Sequence, residues 1–506
     1  MSQLFARKPL SMLLKEMEGK GRLKRVLGPV GLTSLGVGAI IGTGIFVLTG
    51  VAAHDKTGPA LMLSFVVAGL ACVFAALCYA EFASMVPVAG SAYTYAYATL
   101  GEMMAWIIGW DLVLEYAVGS ATVAHGWSHY FQTFLGLFER HVPTFLSKAP
   151  FDIDVATGRL ASTGAWLDLP AVLITFAITA VLVKGIREST SFNAIMVIIK
   201  LSIVLFVIFV GMRYVKTENW TPFAPFGWTG ISFFGHRVAG EIGKGGEPLG
   251  MLAGASTIFF AYIGFDAVSN QSEEAKNPRR DVPIGIIVSL ILCTILYIAV
   301  AAVLTGMIRY DRINIDAPIS DAFGQVGLPW AKYLIAVGAL TGITSVLLVM
   351  SMSQPRVLLA MARDGLVPPA FFAAIHPKYQ TPWKSTILTG AFVALMSALL
   401  PLRILAELVN IGTLLAFVIV CGAVLVMRKT HPDAERPFRV PLAPLTPILG
   451  IAICLLLMFS LPWENWVRLF VWLAIGFVIY FSYGMHHSVM NPKSKHHATE
   501  DDLLAG

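Results

Sequence analysis

Charge is what this sequence has least of: 13% of its 506 residues are Asp, Glu, Lys or Arg, against 57% hydrophobic, and the mean hydropathy is +0.74. A soluble chain of this length carries roughly twice that share of charge, so a water-soluble globular fold is excluded. Cysteine is sparse too. The five present, Cys72, Cys78, Cys293, Cys421 and Cys454, all fall inside apolar runs without metal or redox spacing, and read as small core hydrophobes. No GxxxxGK[ST] occurs, which argues against a nucleotide-driven pump, and "GVGAIIG" lies in an apolar run rather than after a strand, so it is not a dinucleotide fingerprint. The histidine pairs at 486–487 and 496–497 lack a third or fourth ligand. No metal, no cofactor and no nucleic-acid partner is expected.

Long apolar runs are what the chain has instead. Runs of roughly 20 apolar residues, enough to cross a bilayer, lie near 32–53, 59–80, 103–124, 169–183, 193–213, 250–268, 283–306, 331–353, 386–402, 404–427, 442–461 and 465–485. They predict an all-α polytopic membrane protein with 12 transmembrane helices. The first 30 residues are basic ("EGKGRLKRVLG"), and no small-residue cleavage site follows the first run, which reads as a retained helix rather than a signal peptide. With this terminus inside, about 22 of the 36 Lys and Arg fall on the cytoplasmic side, about 13 outside and one within a span, so both termini are expected in the cytoplasm of a cell-membrane protein. The segment "QLFARKPLSMLLKEM" has the spacing of a helix lying on anionic lipid; a disordered tail explains it as well.

Two runs are odd. The first contains "GAIIGTGIFV", with Gly38, Gly42 and Gly44 at its centre, although a glycine weakens a helix interior by about 1 kcal/mol relative to alanine. The sixth, "GASTIFFAYIGFDAVSN", is likewise interrupted by small residues and carries Asp266. Close packing of helices is one explanation for such glycines; a break in the helix is the other. If both helices break, they open two halves of five helices. Because five is odd, the second half enters from the opposite face, an inverted repeat. The resulting division is a basic N-terminal segment, 1–30; a first repeat, 31–249; a second repeat, 250–427; two additional helices, 428–487; and a C-terminal tail, 488–506.

The stretches "PVAGSAYTYAYATLGEMMAWIIGWDLVLEYAVG", "SEEAKNPRRDVPIGI" and "SQPRVLLAMARDGLVP", together with "GAIIGTGIFV", resemble the amino acid–polyamine–organocation (APC) superfamily of permeases, nearest its cationic amino acid transporter branch, in order and at the family's spacings over residues 26 to 430. That resemblance implies a LeuT-type 5+5 inverted repeat plus two extra helices, with the first and sixth helices unwound around an L-amino acid, and a transporter rather than an enzyme. The animal members of the branch are predicted to have fourteen helices, so their substrate preference does not carry over.

The residues supply a reason for the location. A carboxylate in a dry site needs donors, which the free N–H groups at the start of a half-helix provide with a favourable dipole, so Gly42, Thr43 and Gly44 are the expected anion site. The ammonium needs acceptors. Carbonyls freed by a break near Gly264 would supply them at Phe260, Ala261 and Ile263, with Ile40 closing the first-helix side. Met350, in "TSVLLVMSMSQPR", is expected to face the substrate side chain and favour small neutral substrates; packing between helices is the alternative.

Lys200, in "NAIMVIIKLSIVLFVIF", sits about midway along the fifth run, where a charge is unfavourable by about 2.5 to 3.5 kcal/mol. Proton-coupled members of the superfamily resemble this chain in having a lysine there. It is expected to bridge the first and eighth helices through carbonyls and hydroxyls such as Thr344 or Ser345 and to exchange a proton; a static ammonium stapling helices is the other reading. Asp111 and Glu115 share a face of the third helix, and Glu115 is expected to pair with Lys200 or to receive its proton; a helix-packing hydrogen bond explains it as well. Asp266 would cap the sixth-helix break or act as an internal gate. "EEAKNPRRD" reads as a salt-bridged cytoplasmic loop, with a solvated loop as the alternative, and "RYDRINIDAPISDAFG" as an external connection with a short lid helix. The function these residues support is proton-coupled amino acid symport, with exchange or amino acid sensing as alternatives. Protons, the amino acid and membrane lipids are the expected partners, and a small membrane-protein partner is left open.

Overall fold

The computed structural model describes residues 3–9, 27–85, 91–154, 159–185, 189–233, 236–243, 246–492 and 494. The N-terminal surface helix expected over 3–17 and nearly all of the C-terminal tail lie outside them. The α-helices of eight or more residues are α1 (Pro29–Ile40), α2 (Leu61–Met85), α3 (Ser91–Thr99), α4 (Glu102–Leu135), α5 (Leu169–Lys184), α6 (Ser189–Gly211), α7 (Met251–Ile258), α8 (Pro278–Met307), α9 (Pro318–Gln325), α10 (Pro329–Arg363), α11 (Trp383–Leu399), α12 (Leu402–Thr430), α13 (Leu445–Phe459) and α14 (Trp463–Ile479). Every apolar run read from the sequence falls on helix. Among the described residues eight helical stretches are long and apolar enough to cross a membrane, and α1, α5, α11 and α13 are shorter apolar helices. The chain is a polytopic helical membrane protein.

Some helices outrun their apolar cores. α4 and α10 have 34 and 35 residues, because polar residues at their ends are buried against other helices instead of facing lipid: Glu102 opens α4 with its carboxylate accepting from Tyr97 and Tyr480 hydroxyls at 2.9 and 2.8 Å. The packing is regular. α2 lies along α8, α4 along α10, and α5 along α11, so helices of the first half meet counterparts in the second.

The expectation of an all-α chain is corrected by two small sheets in the connections. β1 (Phe151–Asp154) pairs antiparallel with β2 (Arg159–Ser162), and β4 (His236–Ile242) lies between β3 (Gly230–Phe233) and β5 (Pro248–Leu249). Their backbone groups lie off the helical bundle and satisfy one another across strands. The three-stranded sheet abuts the C-terminal end of the first interrupted helix, where the Gly250 amide donates to the Lys56 carbonyl at 2.9 Å. The expected lid helix is α9.

Candidate functional site: two broken helices and a buried lysine

The first interrupted helix breaks where its glycines are. α1 ends at Ile40, and Ile41 turns extended (φ −74°, ψ 103°). Helical structure resumes at Thr43 and runs as a π-helix over Gly44–Leu48. The amides of Gly42, Thr43 and Gly44 therefore begin a half-helix, with no full turn of carbonyls ahead of them. The sixth helix breaks in the same way. α7 passes into a 3-10 turn, Phe259–Tyr262, and Gly264 adopts φ +113°, a conformation that L side chains rarely take. Helix then resumes at Asp266–Glu274.

The two breaks meet. A Cβ on Gly44 would run into the Cα and Cβ of Ala261, and one on Gly264 would come within 2.9 Å of the Ala39 carbonyl oxygen. The donors at Gly42, Thr43 and Gly44 and the backbone of Phe260, Ala261 and Ile263 are thus brought together, all buried. The Ile40 carbonyl is already engaged by the Tyr297 hydroxyl at 2.8 Å. Helices α4 and α10 flank the breaks: Val346 packs on Gly42, Thr43 packs on Gly126, and the Met350 Cε would lie 2.8 Å from a Cβ at Gly119. Met350 is buried between α10 and α4.

Lys200 is fully buried and reaches the first break from α6. Its Nζ donates to the carbonyls of Gly38 (2.5 Å) and Ile41 (3.0 Å) and to Ser345 Oγ (2.8 Å). Three acceptors match the three donors of an ammonium. Ser345 is the α10 hydroxyl that Lys200 meets, while Thr344 accepts from Trp127 Nε1 at 3.0 Å. Glu115 is not paired with Lys200. It lies on α4 with Oε1 unpartnered among the described residues, beside Tyr116, whose hydroxyl donates to Asp266 Oδ2 at 2.5 Å. Of the loop 273–281, the side chains of the two glutamates at 273 and 274 lie outside the described residues; Arg279 pairs with Glu435 at 3.1 Å, and the Asp281 carboxylate accepts from the Asn277 amide at 3.2 Å.

One polar cluster escaped the sequence reading. Lys56, at the C-terminal end of the half-helix after the first break, donates to Glu407 of α12 at 3.1 Å and to Thr257 of α7 at 2.9 Å, all three buried. Asn465 and Arg403 also reach Glu407. The lone acid in the apolar stretch "LAELVNIG" was the available signal. Beside it, a Cβ on Gly50 would collide with Pro318 of α9, so α9 rests on the same half-helix.

A family model described as amino acid permease matches residues 27–484. The chain is 47% identical to the methylthioribose transporter of Bacillus subtilis, over 97% of this chain and 100% of that one, and 48% identical to the branched-chain amino acid permease BcaP of the same organism, over 96% and 99%. It is 40% identical to the vacuolar cationic amino acid transporter 4 of Arabidopsis thaliana, over 86% of this chain and 68% of that one.

Proposed function

Because this chain belongs to the amino acid permease family, we propose that it is a secondary active transporter that imports an L-amino acid across a bacterial plasma membrane together with a proton, by alternating access. In this reading twelve spans cross the membrane with both termini in the cytoplasm. Ten of them, in 31–249 and 250–427, form a LeuT-type inverted repeat, and the two in 428–487 stand outside it. The packing of α2 on α8, α4 on α10 and α5 on α11, with two broken helices crossing at the centre, supports that arrangement. The substrate carboxylate would meet the amides of Gly42, Thr43 and Gly44, and its ammonium the carbonyls of Phe260, Ala261 and Ile263, with Ile40 beside them. Met350 and Val346 offer the side chain an apolar wall, which suits a neutral substrate of the kind that the name of the branched-chain permease records.

The observation that carries proton coupling is Lys200, whose Nζ joins the inner half of the first helix to α10. Protonated, it holds Gly38, Ile41 and Ser345 together; deprotonated, it has fewer donors and loosens that joint, with Asp266 and Tyr116 as a second latch between the sixth helix and α4. Exchange with a static lysine is the second reading, favoured by the complete match between an ammonium and its three acceptors. Proteoliposomes with and without an inward proton gradient separate the two. Symport predicts that Lys200→Ala retains substrate binding but loses gradient-driven uptake, and that Lys200→Arg stays locked because arginine does not deprotonate. Gradient-driven accumulation by Lys200→Ala at the wild-type rate refutes the role of Lys200, and uptake that requires internal substrate and ignores the gradient establishes exchange.

A further inference from the structure

The turn of α4 that backs Thr43 carries a buried histidine. The Val123 carbonyl accepts from Thr43 Oγ1 at 3.4 Å, and a Cβ on Gly126 would collide with the Thr43 side chain. Between them His125, 2% exposed, reaches two other elements. Its Nε2 lies 2.7 Å from the carbonyl oxygen of Leu400, the C-cap of α11. Its Nδ1 lies 2.8 Å from Asp168 Oδ2, an ion-pair contact set off the straight line of a hydrogen bond. Asp168 is itself buried and caps α5, accepting at Oδ1 from the Ala171 amide (3.1 Å) and from Ser128 Oγ of α4 (2.6 Å). Thus α4, the start of α5 and the end of α11 meet on one histidine and one carboxylate. The other charged and titratable groups acting there are Asp152 of β1 and His129, one turn along α4 with its ring centroid 6.2 Å away and its Nδ1 3.6 Å from Asp316 ahead of α9.

Neither a carbonyl nor a carboxylate oxygen donates a hydrogen bond. A neutral imidazole has one N–H, so it serves one of these two neighbours and turns a lone pair on the other at contact distance. In a dry site that repulsion is costly. A second ring proton removes it, because both nitrogens of an imidazolium are donors. The helix ends favour the same state. The C-terminus of α11 offers a cation its last carbonyls, and the N-terminus of α5 offers the Asp168 anion its first amides.

We propose that His125 is a proton-binding site sharing no partner with Lys200, and that its imidazolium, clamped between Asp168 and Leu400, positions the α4 turn behind Thr43. When the proton leaves, the clamp opens and that turn is free to shift. The positioning role rests on the transporter reading, in which Thr43 belongs to the substrate carboxylate site; the bound proton does not. The test is nitrogen-15 solid-state NMR of the full-length protein, labelled at histidine, in lipid bilayers at about pH 8, where an imidazole with the ordinary pKa of about 6.5 is nearly all neutral. The two ring nitrogens resonate close together in an imidazolium and far apart in a neutral ring. The expected result is an imidazolium signal in the wild type that is lost in His125→Gln and in Asp168→Asn, whose amide keeps the shape and gives Nδ1 a donor. The signal should remain in His54→Gln and His129→Gln, whose rings also lie near carboxylates. Absence of the signal in the wild type overturns the proposal before any variant is made. So does a signal that survives in folded His125→Gln or Asp168→Asn, or one lost with His54 or His129. For the role, amino acid binding is followed by calorimetry against pH. Wild-type binding should weaken about tenfold as the imidazolium signal disappears, the worth of one hydrogen bond at Thr43, with no such step in Asp168→Asn; the same profile in both refutes the positioning role. Liposomes that ignore a proton gradient would refute symport while leaving the NMR signal in place, so the two failures are distinguishable.

Discussion

Gly44→Ala adds one methyl group at the point where the two broken helices cross. The new Cβ would collide with Ala261 Cα and Cβ and sit 3.0 Å from its amide nitrogen. Carbon atoms pack at about 3.5 to 4.0 Å, and Ala261 contributes backbone there rather than a flexible side-chain end, so the breaks must separate by roughly 1 Å. A hydrogen bond near 2.9 Å stretched by that amount no longer qualifies as one. If two charge-assisted bonds to the substrate are lost, at about 1.5 to 3 kcal/mol each, binding weakens by at least about 3 kcal/mol, more than 100-fold in Kd. Gly422→Ala is the matched control, since a Cβ there meets nothing within 4 Å. Both variants would be checked for monodispersity and melting temperature, and amino acid binding measured by calorimetry against wild type. Wild-type affinity in a folded Gly44→Ala protein would refute a ligand held between the Gly44 turn and the Ala261 backbone.

Met350→Ser removes an apolar wall, and competition by arginine and lysine against the neutral substrate should strengthen about tenfold; unchanged competition assigns the pocket limit to another residue. Gly264→Ala forces an alanine to φ +113° against the Ala39 carbonyl and should lower the melting temperature and substrate affinity together, whereas an unaltered melt refutes the strain. Glu407→Gln leaves the buried Lys56 ammonium without its carboxylate and should destabilise by about 3 to 5 kcal/mol, while Lys56→Met with Glu407→Leu recovers much of that loss; equal melts for the single and double variants would show that the pair is not coupled.

The breaks were legible in the sequence because glycine announces backbone freedom: "GTG" and the glycine of "FFAYIG" mark them within a residue or two, and the depth of Lys200 in an apolar run marked it as a residue with partners. What those partners are was half legible. The resemblance to proton-coupled members of the superfamily pointed to the first and eighth helices, but choosing Ser345 over Thr344 depends on the rotation of α10, which no local pattern records. Glu115 was drawn toward Lys200 by charge alone, whereas the fold gives its neighbour Tyr116 to Asp266 and satisfies Lys200 with backbone. The Lys56–Glu407 pair went unread because its members are about 350 residues apart: Glu407 stands out as a lone acid in an apolar stretch, but nothing local names its partner. The sheets went unread because short strands pairing in loops leave only a weak alternation.

On the proposed mechanism, those two lysines would hold one helix in two places and release it in one. Lys200 grips Gly38 and Ile41, the last turn before the break and the break itself. Lys56 belongs to the half after the break and grips α12 and α7. A continuous helix would transmit a force at one grip to the other, since its hydrogen-bond ladder resists bending; the extended Ile41 interrupts that ladder. On the proposed mechanism, release at Lys200 would free the half before the break while Lys56, still paired with Glu407, would keep the half after it seated against α9. The chemistry of the two grips differs in the same sense. Lys56 has a carboxylate partner and Lys200 has only neutral acceptors, so on the proposed mechanism a proton leaving the lysine at the break would strand no buried anion.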